Sequence, residues 1–349
     1  MKHSQLSSRS GILAAGDWTV EHASLIASYP PRGHWADIHR QDAFAAGSAF
    51  NLLANLARWK APFPLAGAGL LGRDAAGRLI LDACKNHKID ARLLASTALA
   101  PTACAHAMIE QAGGARTSFY LRGANALWDG AGLNFARCKA RIFHLGSLLR
   151  LDALDASHPA FGAKSAALLH AARQAGLKTS VAAARQPGGH AAPVILPALK
   201  FADYCILDDI EAGRATGFKI READGRINPV SLRHAAGALL QGGVRELVIL
   251  HFPEGGFIRP RKGGDVWQSS LNLPSSRITG AGGAGDAFAA AVLLGLHEAW
   301  DLPRCLLAAV CAAGAALLQP VGSGGVKSLP SALKLSRKFG HRKMEQSEL

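Results

Sequence analysis

Residues 278–290 read ITGAGGAGDAFAA, a glycine-rich loop that leads directly into an alanine-rich segment. The glycines permit tight turns and the following segment is strongly helix-forming, so we expect a helix to begin near Ala284. The first amides of such a helix have no partner within it. Together with the helix dipole, they favour a phosphate or developing negative charge. Asp286 is predicted to lie in the first turn, beside this anion site.

Two interpretations of Asp286 stay open from the glycine spacing alone. An isolated acid in the first turn of a helix can simply cap the helix and complement its dipole. A carboxylate beside an anion site can also take part in catalysis. The stretch is neither a Walker phosphate loop, which ends in Gly-Lys-Ser/Thr, nor a dinucleotide fingerprint, which would lie early in the chain.

The composition predicts a folded, soluble protein. Hydrophobic residues make up 49% of the 349 residues, which is enough to bury a sizeable core. No apolar run reaches the roughly 18 residues that a membrane span requires. The N-terminal stretch lacks the apolar core of a signal peptide, and the six cysteines form no Cys-x-x-Cys pair. We therefore expect a cytoplasmic protein with reduced thiols in its core.

The formal net charge of +14 favours polyanions without selecting among nucleic acid, acidic membrane and nucleotide phosphates. Part of the surplus lies in residues 334–343, KLSRKFGHRK. We expect residues 331–349 to form a basic, poorly ordered tail. Because no aromatic-plus-basic RNA motif or zinc finger accompanies it, nucleic-acid binding is the weakest of the three interpretations.

Short β-type runs alternate with amphipathic helical runs, as in a buried parallel sheet with crossover helices. The predicted strands are residues 11–15, 141–145, 178–181, 204–207 and 246–250. The predicted helices are residues 51–59, 74–86, 164–174 and 229–241. This pattern predicts a doubly wound α/β fold. Residues 29–46 and 102–121 break the alternation, and we expect them to form a small β lid over the ligand-binding end of the main sheet.

Two stretches resemble the signatures of the ribokinase-like (PfkB) carbohydrate kinases. Residues 283–289, GAGDAFA, look like the C-terminal signature of that family. Residues 46–58, followed by residues 65–77, are similar to its N-terminal signature. With RGAN at residues 122–125, the resemblance extends over about residues 11–330. It implies a single kinase domain with a ribokinase-like fold, followed by the basic tail.

The resemblance implies transfer of the γ-phosphoryl group of ATP to a hydroxymethyl group of a sugar or similar small alcohol. By position, Asp286 is then the base that accepts the hydroxyl proton. Gly283, Ala284 and Gly285 form the anion hole, whose amides stabilise charge on the transferring group. The glycines expected to contact the nucleotide are Gly256, Gly283, Gly285 and Gly324.

The resemblance also implies a site for Mg²⁺, which hard oxygen ligands suit. Asp208 and Glu211 match the family's Asn-x-x-Glu element, with Asp in place of Asn. Their spacing places both on one helix face. The alternative is that these acids only complement the N-terminus of a helix.

For the sugar, the residues implied by the resemblance are Glu21, Asp17, Gly47, Asn51 and Arg122. Glu21 stands where the family usually has Asp, and a carboxylate can accept hydrogen bonds from two neighbouring hydroxyls. Asp17 is a nearby alternative. Arg122 follows the lid and is expected to close over the substrate or its phosphate, unless it is an ordinary exposed arginine.

Three stretches depart from the family pattern. Gly280-Ala281-Gly282 stands where Asp-Thr-Thr is frequent, residues 182–185 (AAAR) replace an Asp-Pro-Asn-like stretch, and residues 251–253 (HFP) replace Thr-x-Gly. The missing carboxylate and hydroxyls keep a second function open, that of a catalytically weak sugar- or nucleotide-binding homologue. Since lids of this family often pair between subunits, a homodimer through the lid is a further expectation.

Overall fold

Strands and helices alternate along the chain. The structure, a computed structural model, describes residues 9–111, 115–185, 191–279, 282–319 and 326–343. The strands are β1 (Ile12–Ala15), β2 (Thr19–Ile26), β3 (Ile38–Ala46), β4 (Leu65–Gly72), β5 (Asp90–Thr97), β6 (Ala103–Glu110), β7 (Arg116–Leu121), β8 (Ile142–Leu148), β9 (Ser157–His158), β10 (Gly162–Ala163), β11 (Lys178–Ala183), β12 (Tyr204–Asp208), β13 (Leu247–Phe252), β14 (Gly255–Pro260) and β15 (Val266–Ser269). The helices are α1 (Ser48–Arg58), α2 (Ala75–Asn86), α3 (Ala124–Leu127), α4 (Asp152–Asp155), α5 (Lys164–Gln174), α6 (Ala192–Leu199), α7 (Asp209–Thr216), α8 (Pro229–Gln241), α9 (Ala284–His297), α10 (Leu302–Leu317) and α11 (Leu329–Phe339), and 3₁₀ turns cover Phe135–Arg137 and Ser275–Arg277.

The main sheet is parallel over most of its width. Its spatial order is β15-β14-β13-β12-β11-β8-β1-β4-β5, and only β14 and β15 pair antiparallel. From β1 the chain first builds outward through β4 and β5, and then returns to build the other side from β8. The point between β1 and β8 is therefore a topological switch, where open α/β sheets bind ligands at the carboxyl ends of their strands.

The sheet is buried on both faces, and β1 shows why its sequence reads as a continuous apolar run. Ile12 and Ala14 enter one core with α1, α2, α9, α10 and α11, whereas Leu13 and Ala15 enter the other with α5 to α8. Alternate residues of a strand point to opposite faces, so both sets must be apolar here. The predicted doubly wound α/β fold is confirmed.

A second sheet forms the predicted lid, in the order β3-β2-β6-β7. Strands β3, β6 and β7 lie in the two segments that broke the alternation. The sequence analysis missed β2, which occupies an inner position and pairs in parallel with β6. Polar residues such as Glu21, His22 and Ser24 interrupt its apolar pattern, so a strand was not evident there.

The basic tail differs from the prediction. Leu329–Phe339 form helix α11, whose N-cap Ser328 accepts a hydrogen bond from the amide of Ser331. Leu329 and Ala332 are buried against the core, and Leu335 and Phe339 pack beside them. The expectation of poor order is therefore wrong for residues 331–343, because apolar side chains at helical spacing anchor one face of the basic stretch. Residues 344–349 lie outside the described residues.

The cysteines lie mostly in the interior of the protein. All six cysteines are free, and Cys84, Cys205, Cys305 and Cys311 are buried, while Cys104 and Cys138 are only half-buried. Within the described ranges, every helix is too short or too polar to cross a membrane.

One buried indole sets the position of the chain as it leaves β1. The Trp18 side chain is fully buried, and its Nε1 donates a hydrogen bond to the carbonyl of Ala68 at 2.8 Å. A Cβ atom at Gly67 or Gly69 would overlap the ring, so these two glycines of β4 form its seat. Asn125 bonds both the amide and the carbonyl of Trp18, each at 3.2 Å. The neighbouring residue Asp17 is thereby held at the carboxyl end of β1.

We expect Gly69→Ala to lower the free energy of unfolding by about 1–3 kcal/mol, because the added methyl group overlaps a ring that cannot move within a packed core. Urea unfolding followed by tryptophan fluorescence measures the change. The control is Gly237→Ala, since no atom lies within 4 Å of the new Cβ in α8. That variant should be unchanged or more stable by about 1 kcal/mol. Equal effects of the two substitutions would contradict the role given to Trp18.

Candidate active site

Two adjoining cavities lie at the carboxyl ends of the main-sheet strands. The first, which we call the lid cavity, has a volume of about 350 Å³. Its polar lining includes Asp17, Glu21, Ser48, Asn51, Arg116, Ser118, Tyr120, Ser147, Arg150, Glu211 and Asp286. The second, which we call the apolar cavity, has a volume of about 370 Å³ and is lined by Phe252, Leu271, Leu273, Ile278, Phe288, Val310 and Leu317 among others. Three residues line both cavities: Arg185, His251 and Gly285.

Asp286 occupies the predicted place in the first turn of α9. The helix begins at Ala284, and its N-cap Gly283 has a φ of 78°, a left-handed conformation that favours glycine. The Asp286 carboxylate accepts a hydrogen bond from Asn51 Nδ2 at 2.8 Å. Burial raises the pKa of Asp286 to about 6, although the Asn51 hydrogen bond opposes the shift. This carboxylate can therefore exchange a proton close to neutral pH.

The Asp17 carboxylate is buried, and one of its oxygens accepts two hydrogen bonds. Its Oδ1 accepts hydrogen bonds from the Ser48 amide at 2.8 Å and from the Ser147 hydroxyl. Arg150 Nη1 lies 3.7 Å from Oδ2. These contacts tie the ends of β1 and β8 to the start of α1. Gly47 lines the cavity, and a Cβ there would overlap the carbonyl of Asp17, so this glycine has φ 97° and allows the close approach.

Glu21 has one oxygen without a partner. Its Oε2 accepts a hydrogen bond from Arg116 Nη2 at 2.8 Å, while Oε1 is buried and has no hydrogen-bond partner among the described residues. Leaving a buried acceptor unpaired costs free energy on the order of 1–3 kcal/mol. Glu21 lines the lid cavity, so the unpaired oxygen is available to a donor group of a ligand.

The structure places Arg122 elsewhere. Its guanidinium donates to the Leu149 carbonyl at 3.2 Å and to Asp152 at 2.5 Å, and it does not line the lid cavity. The prediction that Arg122 contacts substrate is therefore corrected. The arginines that line the cavity are Arg116, from the lid, Arg150, which follows β8, and Arg185, at the junction of the two cavities. The position of Arg150 just past the carboxyl end of a predicted strand was the signal that could have identified it.

Arg150 also contacts the lid from below. Its guanidinium lies 4.7 Å from the centre of the Tyr120 ring, which is a cation–π distance. The Tyr120 hydroxyl in turn accepts a hydrogen bond from Asn125 Nδ2 at 2.9 Å. The lid strand β7 thus carries Arg116 and contacts Arg150.

Asp208 and Glu211 form a capping box at the start of α7. The Glu211 amide donates to Asp208 Oδ1 at 2.7 Å, and the Asp208 amide donates to Glu211 Oε2 at 2.9 Å. The other Asp208 oxygen accepts from Arg185 Nη2 at 2.7 Å. Burial raises the pKa of Glu211, and the adjacent negative charge of Asp208 adds to the shift. The capping interpretation of these acids is therefore correct, and a further role for either has to be compatible with it.

The acidic side chains of the site supply oxygen donors of the kind that Mg²⁺ prefers. In the ranges described above, no three His, Cys, Asp or Glu side chains are grouped to hold a metal ion. Mg²⁺ does not require such a group, because it keeps several waters and commonly binds one or two carboxylates together with substrate phosphates. Both oxygens of Asp208 are engaged, whereas Glu211 lines the lid cavity. The residues fit a water-rich magnesium site in which Glu211 is the main protein ligand.

The glycines expected to contact the nucleotide differ in whether they line a cavity. Gly285 lines both cavities and Gly283 lines the lid cavity. Gly256 lines neither, because its Cα faces the core, where a Cβ would lie 2.8 Å from Leu306 and 3.0 Å from Phe288. That prediction is corrected to the preceding residue, Gly255, which lines the apolar cavity. Gly324 lies outside the described residues, as do Gly280 and Ala281.

Two of the departures from the family pattern, residues 182–185 and 251–253, reach the junction of the two cavities. Residues 182–184 line the lid cavity with alanine side chains only, and Arg185 supplies the charge there. His251 is half-buried, and desolvation of its ring lowers its pKa, which favours the neutral imidazole. Its ring packs 5.1 Å from that of Phe288 at the base of α9.

Comparison with known proteins agrees with this geometry. The family model described as pfkB family carbohydrate kinase matches residues 30–328. The structure of Arabidopsis thaliana ribokinase complexed with ribose and ATP superposes with a TM-score of 0.74 at 21% sequence identity, covering 94% of this chain and 98% of that chain. Ribokinase from Giardia lamblia gives 0.74 at 15% identity, covering 93% and 98%. The nucleoside kinase of Methanocaldococcus jannaschii gives 0.69 at 15%, covering 94% and 98%.

At these identities the similarity to solved structures concerns the fold, and the expected ribokinase-like fold is confirmed. The family model extends further, because its match begins within the lid region and includes both the N-terminal stretch at α1 and the loop that starts α9. Since it covers most of the chain, this protein belongs to the PfkB family of carbohydrate kinases.

Proposed function

We propose that this protein is an ATP-dependent sugar kinase that transfers the γ-phosphoryl group to a hydroxymethyl group of a carbohydrate or similar small alcohol. The observation that carries the proposal is Asp286, a half-buried carboxylate in the first turn of α9 whose desolvation raises its pKa to about 6. Family membership supports the reaction class. The ribose and ATP named in the Arabidopsis ribokinase complex support the two kinds of substrate.

The lid cavity is proposed to bind the acceptor. Its volume of about 350 Å³ is at the lower end of the range for small-molecule sites, which suits a monosaccharide. Glu21 Oε1 is the acceptor for one hydroxyl, because it has no partner in the described part of the protein. Asp17 Oδ2 and Asn51 complete a polar wall, and Gly47 lets this wall approach α1.

The apolar cavity is proposed to bind the adenine end of ATP. Its lining of aliphatic and aromatic side chains suits a flat base, and its junction with the lid cavity at Gly285 gives the phosphates a path to the N-terminus of α9. The free amides of Ala284, Gly285 and Asp286 then face the transferring phosphoryl group. Their partial positive charge stabilises negative charge that develops during transfer.

In the proposed reaction, the acceptor oxygen forms a bond to the γ-phosphorus as the bond to the β–γ bridging oxygen breaks. Asp286 accepts the hydroxyl proton, and ADP leaves with the bridging oxygen. Bound Mg²⁺ would supply neutralisation of the phosphate charge. Glu211 would hold it from the side of α7, with Asp208 positioned by the capping box and by Arg185.

The second candidate function is a catalytically weak binding homologue of the same fold. Gly282 and residues 182–184 favour it, because they bring no hydroxyl or carboxylate to the junction of the cavities. We also propose a cytoplasmic location and pairing of two chains through the lid. Exposed apolar side chains of the lid region support pairing, and they are Trp35, Ile38, Phe119 and Leu121.

We expect Asp286→Asn to lower kcat at least about 100-fold, because the proton acceptor is lost. The assay is magnesium-dependent release of ADP from ATP across a panel of sugars and nucleosides. The variant should remain folded. The pKa of Asp286 is raised to about 6 in the folded protein, so its ionisation above that pH opposes folding. Thermal unfolding at pH 8 should therefore begin no earlier than in the wild type.

The matched control for this prediction is Asp82→Asn, an exposed carboxylate of α2 that should leave kcat unchanged. Acceptor-dependent turnover that survives in Asp286→Asn would remove Asp286 from the role of base. Absence of turnover in the wild type, together with measurable binding of ATP or a sugar, would favour the weak binding homologue instead.

The pH dependence provides a second test. We expect kcat/KM of the wild type to fall as the pH drops through about 6, because protonated Asp286 cannot accept the hydroxyl proton. Asn51 donates a hydrogen bond that stabilises the ionised carboxylate, so Asn51→Ala should raise the pKa and move the acid limb to higher pH. Asn86→Ala, an exposed amide in α2, is the control. An acid limb that stays in place in Asn51→Ala would contradict this assignment.

Glu211→Gln tests the proposed magnesium ligand. Glutamine can still accept the hydrogen bond from the Asp208 amide, so the capping box is retained while the charge is removed. We expect the Mg²⁺ concentration for half-maximal activity to rise about tenfold or more, with thermal stability little changed. The Asp82→Asn variant should show the wild-type magnesium titration. Unchanged magnesium dependence in Glu211→Gln would exclude Glu211 as a ligand.

A further inference from the structure

Arg116 reaches from the lid to the loop before α9. It is the first residue of β7, and its side chain is about four-fifths buried. Nη2 donates to Glu21 at 2.8 Å and Nε donates to Ser118 Oγ at 3.1 Å. Within the parts of the chain that the structure describes, Nη1 has no hydrogen-bond acceptor. The guanidinium is thus fixed along one edge and has a free donor on the other.

The free edge of the guanidinium lies against Gly282. A Cβ atom at residue 282 would overlap Nη1 of Arg116, so the space that a side chain would take is filled by the arginine. Gly282 does not have the positive φ that would require glycine for conformational reasons, in contrast to the next residue, Gly283. A side chain at this position would therefore have to displace the end of the Arg116 side chain.

The contact matters because Gly282 lies just before the helix that carries Asp286. Gly282 directly precedes Gly283, the N-cap of α9, and both residues line the lid cavity with Asp286. The Arg116 guanidinium, which also pairs with Glu21, consequently brings positive charge towards amides that carry only partial charges. An arginine fork fits the oxygens of a phosphate group, and it keeps its charge throughout the accessible pH range.

We propose that Arg116 is a further catalytic residue, which binds a non-bridging oxygen of the γ-phosphoryl group through Nη1 during transfer. The inference rests on the proposed kinase function. Arg116 gives up no proton and forms no covalent bond, since the acceptor proton still passes to Asp286 and the bridging oxygen still leaves with ADP. Its contribution is electrostatic stabilisation, in a site where Gly282 brings no hydroxyl of its own.

A purely structural role would be to hold Glu21 and the lid in place. Such a role predicts a weaker apparent affinity for the acceptor with little change in kcat. A role at the phosphoryl group predicts instead a fall in kcat, and loss of affinity for a mimic of that group. ADP with aluminium fluoride is a suitable mimic, because the fluoride complex occupies the place of the transferring group.

The test compares Arg116→Ala, Gly282→Ala and the double variant with the wild type. We expect Arg116→Ala to lower kcat about 100-fold and to abolish the gain in affinity that aluminium fluoride gives to ADP in calorimetry, while ADP alone binds as in the wild type. Gly282→Ala should show the same two losses, because its methyl group displaces the guanidinium. The double variant should be no worse than Arg116→Ala, since both substitutions act on one contact.

The control is Arg40→Ala, which removes an exposed lid arginine paired with Asp42 and should leave both readouts unchanged. The inference is overturned if Arg116→Ala keeps wild-type kcat, or if Gly282→Ala has its full effect in the Arg116→Ala background. If the wild type turns over no acceptor, the proposed kinase function fails, and the affinity measurement still decides the role of Arg116. An equal or absent fluoride gain in wild type and variant would then reject it, and a gain lost only in the variant would support it.

Discussion

The geometry of the site depends on the burial of a single indole ring. Trp18 fills the space left by two glycines of β4, and Asn125 holds its backbone on both sides. Asp17 directly precedes Trp18, and Glu21 lies three residues after it. The packing of the indole therefore fixes the backbone positions from which both carboxylates extend. A switch point between β1 and β8 provides an opening in many α/β proteins. Here the anchored ring determines which side chains face that opening.

Glu211 and three further carboxylates line the lid cavity, and those three are stabilised by different contacts. Asp17 has its charge met by amide and hydroxyl donors, Glu21 by an arginine on one oxygen only, and Asp286 by a single amide of Asn51. At Asp286, desolvation outweighs the hydrogen bond from Asn51 and raises the pKa to about 6. Identical functional groups acquire distinct chemistry from their surroundings alone.

Sequence reasoning identified what local spacing determines. The start of α9 is predicted by glycines ahead of an alanine-rich run. The spacing of Asp208 and Glu211 predicts that both lie on one face at the start of a helix. Sequence reasoning failed where the outcome depends on contacts between distant segments. Arg116 acquires its place from Gly282, far away in the chain, and Gly256 was displaced by one residue because strand pleat decides which glycine faces the cavity. The basic C-terminal stretch was misjudged because charge obscured an apolar helix face.

The parallel pairing of β2 with β6 has a further consequence. It places Glu21 and Arg116 in the same small sheet, so the carboxylate proposed to bind the acceptor and the cation proposed to bind the phosphoryl group belong to one structural unit. Under the proposed function, both groups would be absent from the site whenever this sheet is displaced. Water arriving without an acceptor would then meet an incomplete site, and the lid would favour an alcohol over hydrolysis.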